Sequence, residues 1–167
     1  MRIYLPATLA MLRTLVKTGE FAPVSGTAFA LTPALRESYT SEDTDELEYA
    51  AMLEAARASI RLLAIELDGD PDTPPRRAVI AADVDEITFR PDLDAAVVRL
   101  AGPVPMDRIV SVHVDNAEAE DAVRAASAVI DAADLGDLDA EFTLGGAEDH
   151  GLAWYAPQEL PFLLELM

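Results

Sequence analysis

The chain contains two histidines, His113 and His150, and no cysteine. Any imidazole chemistry must therefore use one of these two residues, and thiolate metal sites, disulfides and thiol nucleophiles are excluded. His113-Val114-Asp115 lies at the expected end of a strand, just before an expected helix. Alternation along a strand places His113 and Asp115 on one face, and the crevice beyond the carboxyl ends of parallel strands is a common ligand site. The two side chains could hold a divalent metal with Asp83, Asp85 or His150 completing the set, or serve as an acid–base pair in an enzyme. The plainer reading makes His113 a half-buried, hydrogen-bonded sheet residue and Asp115 a helix cap; a His-x-Asp spacing is common by chance.

Asp83-Val84-Asp85-Glu86 follows a second expected strand. Paired carboxylates do acid–base work when one of them is desolvated, but adjacent acids are unremarkable in a chain with 31 of them. The segment Glu148 to Tyr155 gathers His150, the sole tryptophan, Trp154, and Tyr155. Rings with polar tips stack ligands or anchor partners; they also pack at the edges of cores. Phosphate-cradling GxxxxGK[ST] and GxGxxG patterns and the GxSxG nucleophile elbow are missing, so no cofactor is expected. Asp68 to Pro75 has alternating acids but lacks the sixth-place glycine and twelfth-place glutamate of a helix–loop–helix calcium site.

The elements that position these residues follow from periodicity. Arg2 to Leu5 reads as a strand. Thr8 then caps a helix bearing Leu9, Leu12, Leu15 and Val16, with Gly19 placed for a left-handed ending. Thr27 to Leu31 is extended, and Thr32-Pro33 starts a helix to Tyr39. Asp43 and Glu46 suit a capping box before a helix over Thr44 to Leu67, whose stretch from Ile60 onward is the most apolar and is expected to be the most buried. Arg77 to Val84, Ala96 to Leu100 and Ile109 to Val114 read as strands. Asp115-Asn116 caps a helix over Ala117 to Ala133. Ala140 to Leu144 reads as a strand, Gly145-Gly146 as a turn, Leu152 to Tyr155 as a last strand, and Pro157 opens a terminal helix. The order predicts one α/β (or α+β) domain over residues 1–167, with a mixed, partly parallel sheet flanked by helices. A ferredoxin-like two-layer sandwich is the alternative.

With 167 residues, 12 Lys+Arg and 31 Asp+Glu, the net charge is −19. Lys17 is the only lysine and Arg76-Arg77 the only adjacent basic pair. Such a chain repels phosphates, so neither nucleic acid nor anionic lipid is an expected partner. A basic protein or a second copy is. Hydrophobic residues make up 51 %, enough for a core and too many for disorder. No membrane span and no secretory signal is expected, and the location is read as cytoplasmic.

Three stretches, Met1 to Leu9, Gly26 to Pro33 (GTAFALTP) and Trp154 to Leu160 (WYAPQEL), resemble an uncharacterised family of small acidic actinobacterial proteins, a domain of unknown function. The resemblance spans nearly the whole chain. It implies a bacterial origin, which the arginine-rich, lysine-poor composition also suits, and it implies no catalytic residue. The leading expectation is a non-enzymatic domain that binds a partner protein or itself. Behind it stand a metal-dependent or acid–base enzyme around His113, Asp115 and Asp83, and a small-ligand sensor using Trp154 and Tyr155.

Overall fold

The first strand, β1 (Arg2–Ala7), alternates its side chains between two separate interiors, and the rest of the architecture follows from that. Ile3, Leu5 and Ala7 enter one core while Tyr4 enters another. The computed structural model covers residues 1–167. Its elements run β1, α1 (Leu9–Thr18), β2 (Glu20–Phe21), β3 (Thr27–Ala30), α2 (Pro33–Ser38), α3 (Thr44–Gly69), β4 (Ala78–Asp83), β5 (Ile87–Phe89), β6 (Val97–Leu100), β7 (Val104–Pro105), β8 (Ile109–Val114), α4 (Glu120–Asp134), α5 (Leu138–Glu148), β9 (Ala153–Tyr155) and α6 (Leu160–Glu165). Seven strands form one sheet in the order β5-β6-β3-β1-β4-β8-β9, and β2 pairs with β7 separately.

Every pairing is antiparallel. The fold is α+β, and the expected partly parallel sheet is corrected accordingly. β3 and β4 do run in the same direction, joined by the long α3 crossover, but β1 lies between them and opposes both. The second error concerns residues 138–148. The expected strand at Ala140 to Leu144 and turn at Gly145-Gly146 are one helix, α5, started by Asp137, whose carboxylate accepts the Ala140 N–H at 2.9 Å. With α5 helical, α4 and α5 form a helical hairpin that returns the chain to its starting end, so β9 opposes β8. The two-layer alternative also falls, because helices cover both faces of the sheet.

One face carries α1 and α6. Leu9, Leu12 and Leu15 meet Ile3, Leu5, Ile80, Val112 and Val114, with Leu160 and Leu163 beside them. The other face carries α3, whose Ala51, Ala55 and Ala56 pack on Tyr4, Phe29, Val79 and Val97. Small residues bring the helix close to the sheet. Ser59 fastens it there: its buried hydroxyl donates to the Ala7 carbonyl (2.7 Å) and accepts the Ala78 N–H (3.1 Å). Further along α3, Ile60 and Leu63 meet Val123, Ala126 and Ile130 of α4 and Leu144 of α5. Each such aliphatic side chain contributes about 1.5–3 kcal/mol by leaving water. The C-terminal half of α3 is not its most buried part, however. It is covered on one side only, and Ile65 is 73 % exposed.

Caps match the chemistry of their residues. Thr8 and Thr32 accept the N–H groups of Met11 and Leu35. Asp43 accepts from Asp45 and Glu46, but Glu46 receives the Ser41 hydroxyl instead of closing the expected capping box. Arg57 and Arg61 tie α3 to Asp134 and Glu141 of the helical hairpin. No helix is long and apolar enough to cross a membrane.

Candidate functional site

Strand β8 loses its alternation once. Ala81 pairs with Ser111 and Ala82 with Ile109, leaving Val110 as an extra residue in a β-bulge. After the bulge, Ser111 and His113 face α3 in register with Ala81 and Val79, while Val112 and Val114 face α1; the bulge brings Ile109 to the α1 face as well. Bulges often aim side chains in this way. Above Ser111 and His113 the N-terminal part of α3 offers Asp45, Glu48, Tyr49 and Met52, a strip at helical spacing i, i+3, i+4, i+7. Together with Tyr4 of β1 and Trp154 of β9 they line an open pocket of about 350 Å³.

The floor is polar and uncharged. Ser111 Oγ lies 3.0 Å from His113 Nε2. Burial holds the His113 imidazole below its ordinary pKa, so the ring is neutral at pH 7. The Tyr4 hydroxyl donates to Glu48 Oε2 at 3.2 Å. Burial, reinforced by the Glu48 charge, pushes the Tyr4 phenol up to about 12, so it stays protonated. Two rings stand at the mouth: Trp154, 60 % exposed and paired in register with His113, and Tyr49, 55 % exposed. Arg2 borders the pocket, but its guanidinium donates to Asp83 at 2.7 and 3.3 Å. The same guanidinium also acts on Tyr4 and on the Glu48 charge. Asp45 and Glu48 themselves form no ion pair, so the lining carries two carboxylates against one guanidinium that Asp83 already holds.

The residues singled out from the sequence are dispersed. His113 and Trp154 meet in the pocket. Asp115 does not join them: it is buried, and its carboxylate accepts the Arg77 Nε, Nη2 and backbone N–H at 2.8 Å each. Nor does it cap the following helix, which opens with a 3₁₀ turn over Ala117–Ala119 and no side-chain cap from Asn116. Asp83 sits at the far end of β4, paired with Arg2, about 16 Å along the strand from the Asp115 end. Asp85 is exposed and meets Arg108. His150 contributes its carbonyl to Arg77. Tyr155 points to the opposite face of the sheet from Trp154, into the α1 core. No three histidine or carboxylate side chains gather as the ligands of a metal ion would.

Arg2, Tyr4, Asp45, Glu48, Tyr49, Met52 and Ser111 are among the pocket residues not singled out from the sequence. Ser111-x-His113 is a strand spacing that could have been read. The rest meet only because β1, β4 and β8 are neighbours beneath α3.

The chain belongs to DUF6912, a family of unknown function, whose model matches residues 1–164. No curated protein and no solved structure matches the chain.

Proposed function

We propose that this protein is a non-enzymatic binding domain whose pocket between α3 and the β1-β4-β8-β9 part of the sheet takes a small cationic group, an ammonium or guanidinium. The observation that carries this reading is the pairing of exposed rings, Trp154 and Tyr49, with two carboxylates that form no ion pair, Asp45 and Glu48, around one open pocket whose single guanidinium, Arg2, is held by Asp83. Aromatic faces attract cations by about 0.5–2 kcal/mol, more as water is excluded. The neutral His113 and Ser111 at the floor add hydrogen-bonding capacity without repelling positive charge. The net charge of −19 draws cations toward the surface from a distance.

Thermal unfolding in the presence of choline, arginine and spermidine tests this, with acetate and glucose as anionic and neutral controls. A ligand that binds only the folded state raises the melting temperature. Cations that raise it at concentrations where sodium chloride does not support the reading. Equal shifts with all additives, or none with the cations, contradict it.

A second reading has one observation in its favour. Ser111 Oγ and the uncharged His113 ring are at hydrogen-bonding distance, as a nucleophile and its base would be. No hydrogen-bond partner orients the other ring nitrogen, and Ser111 is buried, which is why binding is preferred. Hydrolysis of a p-nitrophenyl ester that disappears in Ser111→Ala would reverse that preference.

A further inference from the structure

Helix α5 is apolar on two opposite sides. Ala140, Leu144 and Ala147 are buried against α3 and α4. On the outward side, Leu138, Phe142 and Gly145 follow one another at i, i+4 and i+7, and Leu138 and Phe142 are 83 % and 86 % exposed. Leu135, just past the end of α4 and three residues before Leu138, is a third bare apolar side chain. Gly145 and Gly146 are helical, have no positive φ, and a Cβ at either would meet nothing. Glycine in a helix costs about 1 kcal/mol relative to alanine, and nothing within this chain requires it at these positions. A backbone without side chains does let a second surface approach closely.

The charges around the strip share one sign. Asp139 flanks it on one side and Glu148 on the other, and Asp149 follows at its end. None of the three has a basic partner, while Glu141 is taken by Arg57. The last turn of α5 has no basic residue, so Glu148 and Asp149 sit against the negative end of the helix dipole. A second copy of this chain would set these acids against their own kind. We infer that the outward face of α5 is a docking surface for a basic amphipathic helix of a partner protein, with Leu138 and Phe142 as anchors and Asp139, Glu148 and Asp149 receiving the partner's Lys or Arg.

The test uses the full chain and two synthetic peptides of equal positive charge, one with leucine and lysine at helical spacing, the other with serine replacing leucine. Calorimetric titration is expected to show saturable one-to-one binding of the Leu/Lys peptide, at least about tenfold tighter than the Ser/Lys peptide. Phe142→Ser should remove that advantage, and Phe162→Ser, at a 71 % exposed ring on α6, should leave it intact; circular dichroism verifies that both variants fold. Equal binding of the two peptides, no binding of either, or equal effects of the two variants overturns the inference. So does a dimer in sedimentation that Phe142→Ser dissociates, since the occupant would then be a second copy.

Discussion

Arg77 and Asp115 form an ion pair with no access to water: the side chains are 2 % and 0 % exposed, and two parallel hydrogen bonds of 2.8 Å join guanidinium to carboxylate. The pair locks the start of β4 to the end of β8, and Arg77 Nη2 reaches on to the His150 carbonyl. Removing one charge strands the other in the interior, which typically costs about 3–5 kcal/mol. Asp115→Asn should therefore lower the melting temperature by roughly 10 °C in a chain of this size. Adding Arg77→Met should restore part of the loss, because no charge is then left unpaired. An Asp115→Asn variant as stable as the parent would show that the pair is not closed.

Gly19 and Gly26 separate two reasons for glycine. Both have positive φ, +81° and +67°. A Cβ at Gly19 would touch nothing, whereas one at Gly26 would lie 2.8 Å from the Leu100 carbonyl oxygen. Gly19→Ala should cost about 1 kcal/mol from conformation alone. Gly26→Ala should cost about 2–3 kcal/mol, since β6 backbone cannot move aside cheaply. Denaturant unfolding of the two variants compares them directly; equal losses would contradict the steric contact.

The burial of His113 gives stability a pH dependence of known sign. Well above pH 6.5 the ring is neutral in both folded and unfolded chains and contributes nothing to the slope. As pH falls through 6.5 the unfolded chain binds a proton that the folded chain, with its depressed pKa, still refuses. Stability is then lost down to the folded value. Glu54 acts the other way, its carboxyl raised by burial, so that proton uptake there favours the folded chain. The difference between the parent and His113→Gln isolates the histidine. It should shrink in favour of the variant between pH 7 and 5, and a flat difference would contradict the buried, neutral ring.

Gly145→Ala and Gly146→Ala should each stabilise the isolated chain by about 0.5–1 kcal/mol, because helical backbone and open space await the methyl group. Destabilisation of either variant would mean that α5 is not a regular helix there.

The long-period elements were legible because their signals are local. Ile109 to Val114 was bounded by branched residues, and the Thr8, Thr32 and Asp43 caps each announce a helix within three residues. What escaped was set by distant partners. Gly145-Gly146 resembles a turn, and although Asp137 caps the segment locally, it is the docking of Ala140, Leu144 and Ala147 on α3 and α4 that offsets the two glycines. As a strand following a single helix, residues 140–144 would run parallel to β8; as the helix α5 they add no strand, and the sheet stays wholly antiparallel. The strands β2, β5 and β7, two or three residues each, carry no periodicity to read. Asp115 looked like a cap because its true partner, Arg77, lies 38 residues away. At the pocket, His113 and Trp154 were identifiable by type. Tyr4, Glu48 and Tyr49 acquire their meaning from a strand order that adjacency in sequence does not reveal.

Trp154 is the only tryptophan, so its fluorescence reports on the pocket without labelling. Titration of the protein with choline, arginine or spermidine should give a saturable change in emission for at least one of them. Glu48→Gln, which keeps a hydrogen-bond acceptor for Tyr4 but removes the charge, should weaken that binding about tenfold. Emission that stays constant across all three cations, or a response that Glu48→Gln leaves unaltered, would contradict a cation-binding pocket.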